Sequence, residues 1–353
     1  MSEQDDILYE RQGAVAFVTL NRPKALNALT MAMCQDLDAR LAAWEADPEV
    51  RAVVVKGAGD RAFCAGGDVR AIWQSARDGT SHRAEFFAAE YRLNRRIYHF
   101  PKPYIALLDG ITMGGGVGVS VHGSHRVVTE NTLFAMPETG IGLFPDVGAS
   151  HVLPRLPGAL GMYLGLTGAR LKAADCLYTG LATHYLEREA LDDLQRALVS
   201  LEWSEIGEAV AERVLGLFRS NAGLAPLIEH RETIDRVFSA DSVEAILAAL
   251  RREPGDWARE TLTGLESRSP TSLKVTYRAI REGAKLEFDE VMTMEYRLSQ
   301  ACTAAHDFSE GIRAVIIEKD NKPAWEPASL AAVSDDAVAA CFAPLGKRDL
   351  AFS

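Results

Sequence analysis

The feature that most limits what this chain can fold into is an alternation, through its first half, of short β-branched runs with longer stretches of helical period. Residues 14–20 (AVAFVTL) are an unbroken apolar run ended by Asn21-Arg22-Pro23. Thr30 then stands as an N-cap before MAMCQDLDARLAAWEA, and Asp47-Pro48 closes that helix. Residues 52–56 (AVVVK) and 104–108 (YIALL) read as further strands, with shorter ones at 126–129 and 132–135. Residues 84–98 read as a helix, the loop Cys64-Ala65-Gly66-Gly67-Asp68 leads into another, and Gly114-Gly115-Gly116 opens one reaching about His122. This βα alternation predicts stacked α/β units. Beyond about residue 190 the apolar spacing turns helical, as in 240–250 and 269–281. The predicted division is therefore an α/β core over 1–200 and a mainly helical region over 201–353 packing on or beside it. The tail from Ser334 reads as one last helix and a frayed end.

Charge and cysteine usage narrow the function classes. The 353 residues carry 38 Lys+Arg against 49 Asp+Glu, a net charge of −11. Such an acidic chain lacks the basic footprint of a nucleic-acid binder, although a few local donors suffice to hold an anionic ligand. Five scattered cysteines with no CxxC pair indicate a reducing compartment and buried thiols rather than metal ligands. The start, MSEQDDILYE, is acidic without an apolar segment, and no run approaches the roughly 18 apolar residues that span a bilayer. The expectation is a cytoplasmic protein that engages neither membrane nor nucleic acid.

Three segments carry residues suited to chemistry. The glycine loops at 64–68 and 114–116 each precede a helix, where backbone N–H groups are unpaired at the positive end of the dipole. Amides of Gly67 and Gly115 converging on one oxygen would form an oxyanion hole, each donor worth about 3–4 kcal/mol; the alternative is turn and packing glycines. GGG is neither a Walker loop nor a GxGxxG. The third segment, Met136 to Gly148 (MPETGIGLFPDVG), sets Glu138 and Asp146 eight positions apart among apolar, Gly and Pro residues. A carboxylic acid in such surroundings has its pKa raised toward values useful for proton transfer. The competing readings are an N-cap role for Asp146 and a solvated strand end for Glu138. His122 and His125 lack a third ligand and read as structural, no GxSxG elbow is present, and no metal is implied.

The stretches LNRPKALNAL (20–29), AFCAGGDVR (62–70) and KPYIALLDGITMGGGVG (102–118) resemble the crotonase (enoyl-CoA hydratase/isomerase) superfamily. MGGGVGVSVHG (113–123), FAMPETGIGLFPDVG (134–148), GLATHYL (180–186) and IEKDNKPAWEP (317–327) resemble its 3-hydroxyisobutyryl-CoA hydrolase branch. The resemblance spans roughly residues 8 to 330. It implies the crotonase (ClpP/crotonase-like) fold of stacked ββα units with a helical C-terminal region, and an acyl-CoA thioester as substrate. It matches Gly67 and Gly115 to the two oxyanion donors, Glu138 to the principal catalytic carboxylate and Asp146 to the second acid of the hydrolases. Glu90 matches a substrate-contacting acid that accepts a hydrogen bond from the acyl hydroxyl. No separate cofactor is implied, since coenzyme A arrives as part of the substrate. Hydratases resemble this sequence but place a second glutamate where this chain has Gly118, which favours thioester hydrolysis, with valine catabolism as its setting. The alternatives are a hydratase or isomerase, or a catalytically inactive acyl-CoA-binding protein. Arg22 and Lys24 are candidates for the CoA phosphates, with a solvated-surface role as the alternative, and assembly into a homo-oligomer is a family habit.

Overall fold

A computed structural model describes residues 5–203 and 207–352. The first four residues of the acidic start and the last of the expected frayed end lie outside the described residues.

Nine strands are present among the described residues: β1 (Ile7–Gln12), β2 (Val15–Leu20), β3 (Ala52–Gly57), β4 (Ala62–Cys64), β5 (Tyr104–Leu108), β6 (Ile111–Met113), β7 (His125–Val128), β8 (Leu133–Ala135) and β9 (His184–Tyr185). They form a six-stranded sheet ordered β1-β2-β3-β5-β7-β9 and a three-stranded sheet ordered β4-β6-β8. β1 pairs antiparallel with β2, with Ile7 opposite Leu20; every other pair in the large sheet is parallel, as where Val15 faces Ala52 and Val53 faces Tyr104. The α/β class expected from the sequence is the one observed. The interior strands are the continuous apolar runs, with β5 buried at every residue. β1 was not foreseen, because an edge strand with the exposure of ILYERQ shows little apolar periodicity.

The four N-terminal helices are α1 (Met31–Ala46), α2 (Val69–Asp78), α3 (His82–Tyr98) and α4 (Gly115–Gly118). Thr30 caps α1 as its position predicts, its side chain accepting the Met33 N–H. The helix expected to run from the triple glycine to about His122 ends instead at Gly118 and continues as turns. Glycine has the highest conformational entropy to lose in a helix, and three of these four helical residues are glycine.

The chain folds as two compact units, interleaved along the sequence: residues 1–67, 92–134 and 170–226 make one, and residues 68–91, 135–169 and 227–353 the other. The boundary expected at residue 200 thus falls inside the last segment of the first unit. In that unit, Val15, Phe17, Val54, Ile105 and Leu107 alternate along their strands onto one face of the sheet. Helices Leu191–Val199 and Gly207–Phe218 cover this face with Leu194, Leu198, Val210 and Val214. Each such fully buried aliphatic side chain is worth about 1.5–3 kcal/mol. The second unit holds most of the C-terminal helices, including Leu160–Thr167, Pro270–Gly283, Phe288–Ala304 and His306–Ile312.

Candidate active site

In the first unit the two glycine loops lie against each other. The loop after β4 is pinned by a parallel bridge between Leu29 and Gly67, with the Leu29 N–H donating to Gly66 O at 2.9 Å. A Cβ on Gly116 would sit 2.1 Å from the Cys64 carbonyl oxygen, and one on Gly66 would lie 3.9 Å from the Gly115 nitrogen. At Gly116 only glycine allows this approach of backbone to backbone. Gly115 is the first residue of α4, where an N–H has no acceptor within its own helix.

The second unit gathers the acids. Glu138 opens a 3-10 turn (Glu138–Ile141) and is 5% exposed, so it is not a solvated strand end. Burial first, and then the charge of Asp146, push its carboxyl well above the usual range; its own backbone N–H and the Arg268 guanidinium pull the other way. Arg268 is fixed across the turn by donating to Thr167 O at 2.7 Å. Glu138 Oε2 and Glu90 Oε1 are buried without a hydrogen-bond partner.

Asp146 does not cap a helix. The short helix that follows is Ala149–Val152, its N-cap residue is Gly148, and no side chain caps it. The Asp146 carboxylate instead accepts the Tyr91 hydroxyl at 2.7 Å, while only its backbone carbonyl engages Ala149 N. Burial raises Asp146 to about 6, against the lowering effect of Tyr91 and of its own backbone N–H. Glu90, on α3 beside Tyr91, is raised well above the usual range by burial and then by Asp146, Glu138 and Glu295. Glu90, Glu138 and Asp146 therefore feel one another electrostatically.

Two residues near these acids escaped sequence reasoning. Tyr91 adjoins Glu90 but carries no motif of its own. Glu295 lies in helix Phe288–Ala304 at a position flanked by Met294 and Tyr296, where a single acid among core-spaced apolar residues is the available signal. Other candidates have structural partners. His122 stacks edge-on with Tyr98, and His125 pairs with Ser124 and Glu212. Arg22 donates to Ala28 O and pairs with Asp6, whereas Lys24 is exposed on the turn Pro23–Ala25. The cysteines carry no disulfide; four are buried and Cys341 partly so. Among the described residues there is no cluster of His, Cys, Asp and Glu placed to hold a metal ion, and no helix long and apolar enough to cross a membrane.

The family model described as enoyl-CoA hydratase/isomerase matches residues 15–342. The chain belongs to the enoyl-CoA hydratase/isomerase family. Within that family it is 49% identical to the mitochondrial 3-hydroxyisobutyryl-CoA hydrolase of Gallus gallus, over 98% of this chain and 90% of the chicken protein. Among solved structures it matches a carnitinyl-CoA dehydratase from Mycobacterium thermoresistibile at TM-score 0.92 and 43% identity, covering 99% of both chains. It also matches an enoyl-CoA hydratase from Rhodobacter sphaeroides at TM-score 0.90 and 40% identity, over 99% of this chain and all of the other. The fold is that of the enoyl-CoA hydratase/isomerase family, the crotonase fold. One expectation is overturned: the relatives from chicken, zebrafish and human are all named mitochondrial, so the cytoplasmic placement is withdrawn. Compartment is addressed by short targeting segments, and the composition of a folded domain does not encode it.

Proposed function

We propose that this chain hydrolyses a short 3-hydroxyacyl-CoA thioester, with (S)-3-hydroxyisobutyryl-CoA as substrate and free 3-hydroxyisobutyrate and CoA as products, a step of valine catabolism. The observation that carries the reading is a buried glutamate, Glu138, coupled to a buried Asp146 in a chain that has Gly118 where hydratases place their second glutamate. Addition of water across a double bond uses two carboxylates to orient and activate that water, and Gly118 removes one. The name shared by the vertebrate relatives supports the same conclusion.

In this mechanism the thioester oxygen accepts the N–H groups of Gly67 and Gly115, which stabilise the negative charge that develops on it. Glu138 acts at the carbonyl carbon, either attacking it to give a mixed anhydride that water then opens, or removing a proton from the attacking water. The C–S bond breaks, and Asp146 supplies the proton that the CoA thiolate takes up. Glu90 accepts a hydrogen bond from the acyl hydroxyl and so selects 3-hydroxy chains. Single turnover in heavy-oxygen water separates the two routes, since label enters the Glu138 side chain only through the anhydride.

The enoyl-CoA hydratase named among the solved structures supplies a second reading. A thiol-trapping assay over a panel of 3-hydroxyacyl-CoA and enoyl-CoA thioesters decides between them. Hydrolysis liberates free CoA thiol and hydration does not, so turnover of an enoyl-CoA without thiol release would overturn the proposal.

A further inference from the structure

We propose that Glu295 and Tyr91 are positioning residues that together fix the direction of the Asp146 carboxylate, Tyr91 also favouring its ionised form. This deepens the hydrolase reading and rests on it for the role of Asp146. Between Asp146 and the helix Ala149–Val152 the chain makes a turn that a sequence of its kind resists. Val147 has φ +53° and Gly148 φ +87°. The left-handed region suits glycine, but a β-branched residue there is strained and persists only where surrounding contacts over-determine it. Glu295 supplies such contacts. Fully buried, it reaches the turn from another helix and accepts the N–H of Gly148 on Oε2 at 2.6 Å and that of Ser150 on Oε1 at 2.8 Å. Both oxygens of one carboxylate thus clamp the residues on either side of Ala149, and the clamp sets where the backbone of Asp146 can lie. Tyr91, also fully buried, completes the restraint from α3 by donating its hydroxyl to Asp146 Oδ2. A carboxylate held at its backbone and by a hydroxyl on one oxygen has its direction fixed.

The Tyr91 contact also acts on charge, since its hydroxyl stabilises ionised Asp146. Burial and then the Asp146 charge raise Glu295 to about 8, against the lowering effect of the Gly148 and Ser150 amides, so Glu295 is largely protonated where Asp146 titrates. The other groups around Asp146 are Glu90 on α3, Glu138 on its 3-10 turn and Cys302 on the helix of Glu295, all raised in pKa partly by the Asp146 charge.

These two restraints make a test that a packing role would fail. The protein is labelled with carbon-13 at aspartate side-chain carboxyls, and Asp146 is assigned by the resonance missing from D146N. Its titration is then followed by NMR in wild type, E295Q and Y91F. The Asp146 midpoint should rise in Y91F, which removes a donor to the anion, and the Gly148 and Ser150 amides should exchange faster in E295Q, which loses one acceptor oxygen. In thiol release, both variants should lower kcat by about a hundredfold with KM little changed, the scale at which a displaced reactive group costs rate. An unmoved midpoint in Y91F, or wild-type amide exchange in E295Q, overturns the proposal whatever the assay shows. Should E295Q not fold, an unmoved midpoint in Y91F overturns it alone. Wild-type protein that releases no thiol while the Y91F midpoint rises would refute the hydrolase reading and leave the Asp146 restraint standing.

Discussion

Glu138 shows how one residue type acquires chemistry from its surroundings. A glutamate in water is a weak base that ionises near pH 4, whereas one 5% exposed beside a second buried acid holds its proton to higher pH and is a stronger base when it loses it. E138Q keeps the shape and removes the base, so thiol release should fall by about 10²–10⁴-fold, the usual contribution of a positioned proton-transfer group. Turnover within a few-fold of wild type would assign the reaction to another carboxylate. D146N makes a separate test. The Asp146 side chain binds Tyr91 and caps no helix, so the substitution should lower kcat while leaving the thermal midpoint nearly unchanged. A large loss of stability with kcat preserved would make Asp146 a packing residue. The sequence offered both carboxylates and their separation; it left open whether Asp146 caps a helix, because Asp before a helix serves either purpose until its side-chain partner is seen.

At the scale of elements, the signals that read correctly were local ones. The helix α1 follows from Thr30, an amphipathic stretch and Asp47-Pro48, all within one segment, and the interior strands β2, β3 and β5 announce themselves as apolar runs. T30A should cost about 1 kcal/mol, the loss of one cap hydrogen bond, measurable as a lower urea midpoint with an unchanged slope. β4, β6 and β9 were missed because two or three residues are too few to show a period, and they exist as strands only through neighbours distant in sequence. The glycine loops give the sharper test. A methyl group on Gly116 would meet the Cys64 carbonyl at 2.1 Å, and neither backbone can yield. G116A should therefore destabilise the protein by more than the ~1–3 kcal/mol typical of overpacking, seen as loss of the cooperative thermal transition or a steep drop in its midpoint. Normal stability in G116A would mean that these loops are not in contact.

For the molecule as a whole, burial of several acids makes stability depend on pH. The Asp146 pKa rises from 3.8 to about 6, and those of Glu90, Glu138 and Glu295 are also raised. An acid whose folded pKa exceeds its unfolded one binds more protons when folded between the two values. Its contribution to stability is present below the unfolded pKa and is lost as pH rises through the folded one. For Asp146 that window runs from about 3.8 to about 6, and the other three acids extend it upward. His125, lowered by burial to about 4, acts oppositely and costs stability as pH falls from 6.5. Comparing E138Q with wild type isolates the acid contribution. The variant should be the more stable at high pH, and its advantage should shrink as pH falls and Glu138 takes up its proton. Denaturation curves whose difference from wild type does not change with pH would place Glu138 in a more polar environment than its burial implies.

By itself the amino-acid order determined the class of fold, the main strands and helices and the two glycine loops, because period, caps and glycine content act within a few residues. The tertiary structure alone decided that Glu138 is buried, that Asp146 answers to Tyr91 rather than to a helix, and that Glu295 grips the turn beyond it. Those facts depend on desolvation and on hydrogen bonds between segments up to about 150 positions apart, as in the Glu295 contacts spanning 147 and 145 residues. No local pattern records them, since the energy of a carboxylate is set by what surrounds it in space.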